Sequence, residues 1–315
     1  MGVREDDVVQ ILFCFGTPSW MTGSLLQSGL ERLGAFVLPT GNSIPIEKQI
    51  EIMKKFKSTI LLGTPSYLHR LTEEGSQFAD LRSLGIRLIR LGAEPWSESF
   101  REYLEQKWGA VVYDSYGMME LGAAGAGECK AKRGLHLSPY IITEVIEPDT
   151  GEQVEDGEIG ELVYTLVKRE GSPLIRYRSG DLGRYLPEEI CPCTEIPTDR
   201  ISRLLGRSDD MLFLGSGENA YPSHFDSALV GIEGLSAFQV IIDKNGYKDQ
   251  LTIRIEQNKQ NSQNKHNSKI EEIISQRLFT SLPFLEYEIN QSRMIAPLKF
   301  DFISSGTLNT ESPVK

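Results

Sequence analysis

Over the first 120 residues, short apolar runs alternate with segments of helical period. Val8 to Cys14 reads as a strand, Ser24 to Leu33 as a helix ended by Gly34, and Ala35 to Leu38 as a strand closed by Pro39. Glu47 to Phe56 is a second helix and Thr59 to Leu62 a buried strand. Ile86 to Leu91 and Ala110 to Tyr113 repeat the strand pattern, with a helix at Ser97 to Lys107 between them. This alternation predicts βαβ units and a mostly parallel sheet. Ligands of such sheets sit at the carboxyl ends of the strands. Gly92-Ala93-Glu94-Pro95 and Ser115-Tyr116-Gly117 follow two of those ends.

From about Gly134 the texture changes. Ile141 to Ile146 and Glu161 to Leu166 read as antiparallel strands joined by turn-rich sequence around Pro148-Asp149-Thr150-Gly151 and Asp156-Gly157. After Gly206 a third texture begins. A hairpin is expected from Phe238 to Asp243 and Gln250 to Glu256, then a helix over Ser268 to Leu278 and a strand from Tyr287. The Asn-, Gln-, Lys- and Ser-rich stretch from Gln257 to Lys269 reads as a mobile surface loop. No internal repeat is evident. The expected fold is α/β: a mostly parallel sheet domain with a β-rich subdomain, residues 1–207, followed by a small α+β C-terminal domain, residues 208–315.

The chain of 315 residues has a net charge of −11, which argues against nonspecific binding to nucleic acid or to anionic membranes. No targeting segment or long apolar run stands out, so the expected location is the cytoplasm. Four cysteines are too few for a disulfide framework at this length. Their placement carries more. Cys129 and His136 are followed by Cys191-Pro192-Cys193, and three thiols with one imidazole make a closed tetrahedral set of the structural zinc type. Cys14 falls in an apolar strand and is expected in the core, while His69, His224 and His266 are expected to be structural or solvated.

Three further segments suggest chemistry. In Tyr113-Asp114-Ser115-Tyr116-Gly117-Met118-Met119-Glu120, a tyrosine on a turn can stack on a flat base, and an acid four residues later can meet a cation. Asp181, just past Gly180, can accept two hydrogen bonds from vicinal hydroxyls; pairing with Arg178 or Arg184 is the competing reading. Gly206-Arg207-Ser208-Asp209-Asp210-Met211 suits a bend between domains.

Taken together and in this order, these segments resemble the core motifs of the adenylate-forming acyl-CoA synthetases. Thr64-Pro65-Ser66-Tyr67, Gly92 to Trp96, Glu144-Val145-Ile146, Gly157 to Val163 and Pro173 to Arg178 are similar to the phenylacetate–CoA ligase branch. The resemblance implies an AMP-forming acid–thiol ligase that uses ATP and Mg2+, activates an aryl carboxylic acid and transfers it to coenzyme A. It leaves room for a homodimer. Two other readings stay open: a synthetase that adenylylates a deazaflavin cofactor, and a non-catalytic nucleotide-binding fragment.

By this resemblance Ala93, Glu94 and Pro95 line the adenine site, together with the strand-end residues Asp114, Ser115, Tyr116 and Gly117. Tyr116 stacks on the base, Glu120 binds magnesium, Asp181 holds the ribose hydroxyls with help from Arg207, and Asp209 is the hinge. Ser216 to Pro222 approaches the thiol acceptor. Some members of the branch carry a similar Cys/His set. Three departures stand out. The Ser/Thr/Gly-rich phosphate loop has no match, residues 1–10 resembling the stretch that follows it. Met119 replaces the expected Thr. Lys315 lies one place late for the catalytic lysine. Low turnover by the isolated chain is therefore expected.

Overall fold

Five strands run parallel: β1 (Val8–Ile11), β2 (Phe36–Leu38), β3 (Ile60–Gly63), β4 (Leu88–Gly92) and β5 (Val111–Tyr116), in the order β2-β1-β3-β4-β5. They come from a computed structural model that describes residues 2–15, 21–122, 125–186, 191–193, 198–208, 212–216, 218–232, 235–257, 264–304 and 307–308. The helices between them are α1 (Thr22–Arg32), α2 (Ile46–Phe56), α3 (Pro65–Gly75) and α4 (Glu98–Trp108). Local chemistry sets their ends. Thr64 caps α3 by accepting from the Tyr67 N–H at 3.3 Å, and Pro65 takes the first helical position, where its missing N–H costs nothing. In α2, Glu47 lies in the first turn and Lys54 and Lys55 in the last, matching the helix dipole.

Beyond β5 the sheet turns antiparallel through β6 (Ala126–Glu128), β7 (Leu135–Leu137) and, after the next three strands, β11 (Arg200–Ile201). A second, antiparallel sheet contains β8 (Ile141–Ile146), β9 (Ile159–Leu166), β10 (Tyr177–Arg184) and β12 (Gly206–Arg207), in the order β12-β10-β9-β8. The two sheets share one core. Tyr116, Leu121, Leu135 and Leu137 pack with Val145, Leu162, Tyr164 and Ile201. That packing carries β10 to the end of β5.

The chain divides into two compact units, Met1–Pro95 with Arg101–Ser208, and Trp96–Phe100 with Asp209–Lys315. The second unit contains the hairpin β13 (Leu212–Leu214) and β14 (Glu218–Ala220), the helix α5 (Pro222–Leu229), and the long hairpin β15 (Leu235–Asn245) and β16 (Lys248–Gln257). Helices α6 (Asn264–Ser281) and α7 (Phe284–Asn290) follow, and β17 (Lys299–Ser304) pairs in parallel with β16. Leu251, Ile253 and Ile255 meet Ile270, Ile274 and Leu278 in its core.

The expected α/β class stands: a large, mostly parallel sheet, antiparallel sheets, then an α+β unit. Three local expectations are corrected. Tyr287 lies in a helix, because Leu285 and Glu288, three apart, are buried on one side. The polar tract is helical from Asn264 onward, since Ile270, Ile274 and Leu278 four residues apart draw the preceding turn into α6; residues 258–263 lie outside the described residues. Cys14 lies past the end of β1 and is half-buried, its Sγ 3.7 Å from the Phe15 carbonyl. Among the described residues no helix is long and apolar enough to cross a membrane.

Candidate functional site

The strand β5 ends on Asp114, Ser115 and Tyr116, and the three side chains go to three different places. The Tyr116 hydroxyl donates to Asp181 Oδ2 at 2.6 Å, joining residues 65 positions apart. Arg207 Nη1 lies 3.4 Å from Asp181 Oδ1, and Asp181 and Arg207 face each other across β10 and β12. Gly180 permits the close approach: its φ is +74°, and a Cβ there would lie 2.9 Å from Arg207 Nη2. Burial raises the Asp181 carboxyl above its ordinary value, against the opposing pull of the Tyr116 hydroxyl and Arg207. Burial, then Tyr164 and Asp181, push the Tyr116 hydroxyl up, so it stays a donor at neutral pH.

Asp114 turns inward instead. Its carboxylate accepts from Arg203 Nε at 2.8 Å, and its backbone N–H donates to Glu128 Oε2 at 2.8 Å. Ser115 Oγ donates to the Leu91 carbonyl at 2.6 Å, tying β5 to the end of β4, just before the 93–95 segment. There Ala93 has φ +71°, Pro95 is exposed, and Glu94 accepts from the Ser66 N–H and hydroxyl at 2.8 and 2.7 Å. After β5 the chain passes the half-buried Gly117 into a short turn, Met119–Leu121. Glu120 is exposed there, with the Tyr177 hydroxyl 3.4 Å from Oε1. The Met119 thioether is contacted by the Thr22 hydroxyl at 3.7 Å. Asp209 and Lys315 lie outside the described residues.

A second cluster sits at the other end of β6. Cys129 follows that strand directly, His136 lies in β7 opposite Arg200 of β11, and Cys191 and Cys193 come from the loop before β11. All four are buried, and their ligand atoms lie within 4.8 Å of one another. Cys129 Sγ is 3.4 Å from Cys191 Sγ, and Cys193 Sγ 3.5 Å from His136 Nε2. None of the three cysteines is in a disulfide. Burial, opposed by a backbone bond at Ala131 and reinforced by Cys191 and Cys193, pushes the Cys129 thiol up to about 11. Soft sulfur donors and one imidazole, compact and dry, are the donor set of a tetrahedral zinc ion.

The AMP-binding enzyme family matches residues 2–165, and the AMP-binding enzyme C-terminal domain matches residues 217–291. The chain belongs to the AMP-binding enzyme family. It is similar to the phenylacetate-coenzyme A ligase of Pseudomonas putida, 36% identical over 261 residues, which are 81% of this chain and 57% of that protein. The Escherichia coli (strain K12) phenylacetate-coenzyme A ligase is 34% identical over 262 residues, 81% of this chain and 58% of that protein. The chain thus spans a little over half the length of these curated relatives. Among solved structures, 2-hydroxyisobutyryl-CoA ligase in the postadenylation state with 2-HIB-AMP superposes with a TM-score of 0.85 at 26% identity, over 100% of this chain and 65% of that one.

Within this AMP-binding enzyme, two features of the site were not read from the sequence. The first is the clamp of Ser66 on Glu94, for which Thr64-Pro65-Ser66 at a helix start was the available signal. The second is the buried pair Glu128–Arg101, at 2.8 Å, which carries the Asp114 amide. An acid inside a three-residue buried strand beside a cysteine was the signal there. The residues that motif reading grouped around the nucleotide do not all meet: Tyr116, Asp181 and Arg207 converge, whereas Asp114 joins Arg203 and Glu128.

Proposed function

We propose that this chain carries the nucleotide-binding and hinge-proximal part of an AMP-forming acid–thiol ligase for an aryl carboxylic acid. A carboxylate oxygen of the acid attacks the α-phosphorus of ATP, the bond to the bridging oxygen breaks, and pyrophosphate leaves. The sulfur of coenzyme A then attacks the acyl carbon, AMP departs, and the thiol proton goes to solvent. The carrying observation is the convergence of Tyr116, Asp181 and Arg207 at the end of β5. Asp181 is the acceptor for the ribose hydroxyls, Tyr116 supplies both its hydrogen bond and a flat face, and Arg207 holds the second carboxylate oxygen.

Glu120 offers one exposed hard oxygen donor beside this site. Mg2+ characteristically binds one or two carboxylates plus substrate phosphates, and when bound it neutralises phosphate charge. Cys129, His136, Cys191 and Cys193 are the ligands of a structural zinc ion, with all four positions filled by protein. Cysteines without a disulfide in that set suit a reducing cytoplasm. The domain boundary falls at residues 207–208, with Asp209 as the hinge, and the segment Ser216 to Pro222 receives the thiol.

Asp181→Ala is the test. AMP affinity measured by calorimetry is expected to fall by about 1.5–3 kcal/mol, the worth of hydrogen bonds to a charged group. Unchanged affinity in a folded variant removes Asp181 from the ribose site and with it the basis of this reading.

A further inference from the structure

The loop between β9 and β10 reaches back to the turn that carries Glu120. It is closed at its base by the Leu166 N–H donating to the Leu174 carbonyl at 2.9 Å, and tied to the start of β8 by the Val167 N–H donating to the Tyr140 carbonyl at 2.9 Å. Lys168 adopts φ +63°, an uncommon conformation for a side-chain-bearing residue, with its ammonium 5.6 Å from the centre of the Tyr140 ring. The next residue, Arg169, extends to the turn. Its Nη1 donates to the Glu120 carbonyl at 3.2 Å. Its Nη2 lies so close to Gly122 that a Cβ there would be 1.9 Å from it, and 3.1 Å from Cζ.

Gly122 itself has φ +82° and ends the turn by donating its N–H to the Met119 carbonyl. Two separate demands therefore fall on one position: a left-handed backbone, and an uncovered Cα for a guanidinium to rest on. The fit is reciprocal, because Arg169 has this seat only while residue 122 lacks a side chain. Beside the contact lies a cavity of about 370 Å³ lined by Leu121, Ser138, Tyr140, Leu166 and Arg169 among others, while the buried Leu121 side chain anchors the inner side of the turn in the core. Among the described residues, the Glu120 carboxylate also meets the Tyr177 hydroxyl in a long bond, at 3.4 Å.

We propose that Arg169 is a positioning residue: seated on Gly122 and bonded to the Glu120 carbonyl, it fixes the 119–122 turn so that the Glu120 carboxylate faces a divalent cation carried by nucleotide phosphates. This rests on the ligase reading above for the cation and stands on the contact geometry for the brace. Arg169 touches neither nucleotide nor reacting atoms in this role. It acts on where a one-carboxylate site points, from the outer side of a turn whose inner side Leu121 anchors.

The experiment uses the full chain with Arg169→Ala, Arg169→Lys and Gly122→Ala, and two probes, Mn2+·ATP and metal-free AMP, titrated by calorimetry, with amide exchange of the ligand-free protein read at Leu121 and Gly122. Arg169→Ala is expected to weaken Mn2+·ATP about fivefold while AMP affinity stays within about twofold, the loss of one charge-assisted bond felt only where the cation is involved. Exchange at the two amides is expected to rise by about the same factor, and Arg169→Lys to recover part of both, since lysine keeps the charge without the planar fork. Gly122→Ala should mimic Arg169→Ala, and adding it to Arg169→Ala should cost less than adding it to the parent chain. Unchanged exchange in Arg169→Ala overturns the brace whether or not nucleotide binds. Equal loss of both probes overturns the cation-specific role. A parent chain that binds neither probe overturns the ligase reading instead, and the exchange arm then decides the brace by itself.

Discussion

Two polar clusters grow from neighbouring strands of one sheet and are built on opposite plans. At the end of β5, Tyr116, Asp181 and Arg207 form an open set: Arg207 is half-exposed, one of its bonds is 3.4 Å long, and the carboxylate keeps capacity to accept more. At the far end of β6, Cys129, His136, Cys191 and Cys193 form a closed one, every member buried and every ligand atom within 4.8 Å of the others. A closed set can be completed by a single cation and then has nothing left to offer a substrate. An open set is incomplete until a larger polar ligand arrives. On the proposed reading, the difference separates a site that holds the fold from a site that holds a ligand.

The comparison breaks most sharply on metal removal. One zinc per chain is expected by elemental analysis. Cys193→Ser should lose it, leaving the remaining buried ligands without the cation that joins them, and cost more than about 4 kcal/mol, the range of mechanisms such as metal loss. In melting temperature this is a fall of at least about 8 °C for a unit of this size. A metal-free preparation as stable as the untreated protein would show that the cluster is only a packed group of thiols.

Glu128 is the wall between the two plans. It precedes Cys129, its side chain is fully buried, it pairs with Arg101 at 2.8 Å, and it accepts from the Asp114 amide two residues before Tyr116. Glu128→Gln removes the buried charge that pairs with Arg101 at 2.8 Å, so unfolding by denaturant should show a loss of about 3 kcal/mol. Because both clusters hang on this residue, zinc retention and AMP affinity are both expected to decline. Loss of stability with both functions intact would mean that the two sites are independent.

Much of this was legible in the sequence, and the boundary is physical. Ile141–Ile146 matches the expected bounds because its β-branched residues and flanking turns act within the strand itself. β5 runs three residues past its expected end at Tyr113, because Ser115 and Tyr116 are held by pairing to β4 and β6, which polar residues in a strand do not announce. The closed cluster was visible as four residues, since ligand identity is chemistry and survives without coordinates. The inward turn of Asp114 was not, because its partners, Arg203 and Glu128, are set by sheet topology. Tyr287 lies in a helix where a strand is expected, because seven residues give too little periodicity to tell the two apart.

The smallest effect sharpens the account of the open set. Burial raises the Asp181 carboxyl, with Tyr116 and Arg207 opposing. A carboxyl whose native pKa exceeds its unfolded value favours the native state at low pH, and that contribution is lost as pH rises from the unfolded value through the native one. Ligand binding has the opposite sign, because ribose hydroxyls donate to the ionised form. Affinity should therefore drop as the solution is acidified, and begin to drop above the ordinary carboxylate range. Adenosine is the probe, since it has no phosphate to titrate in the same window. Asp181→Asn keeps an acceptor oxygen but cannot ionise, so its adenosine affinity should be flat across that range. Arg207→Ala removes the opposing cation and should move the midpoint upward, by less than about one pH unit because Arg207 is half-exposed and screened. An identical acid limb in the parent chain and in Asp181→Asn would place the titrating group elsewhere in the pocket, and the open set would then owe its affinity to Tyr116 and Arg207 without a contribution from the charge on Asp181.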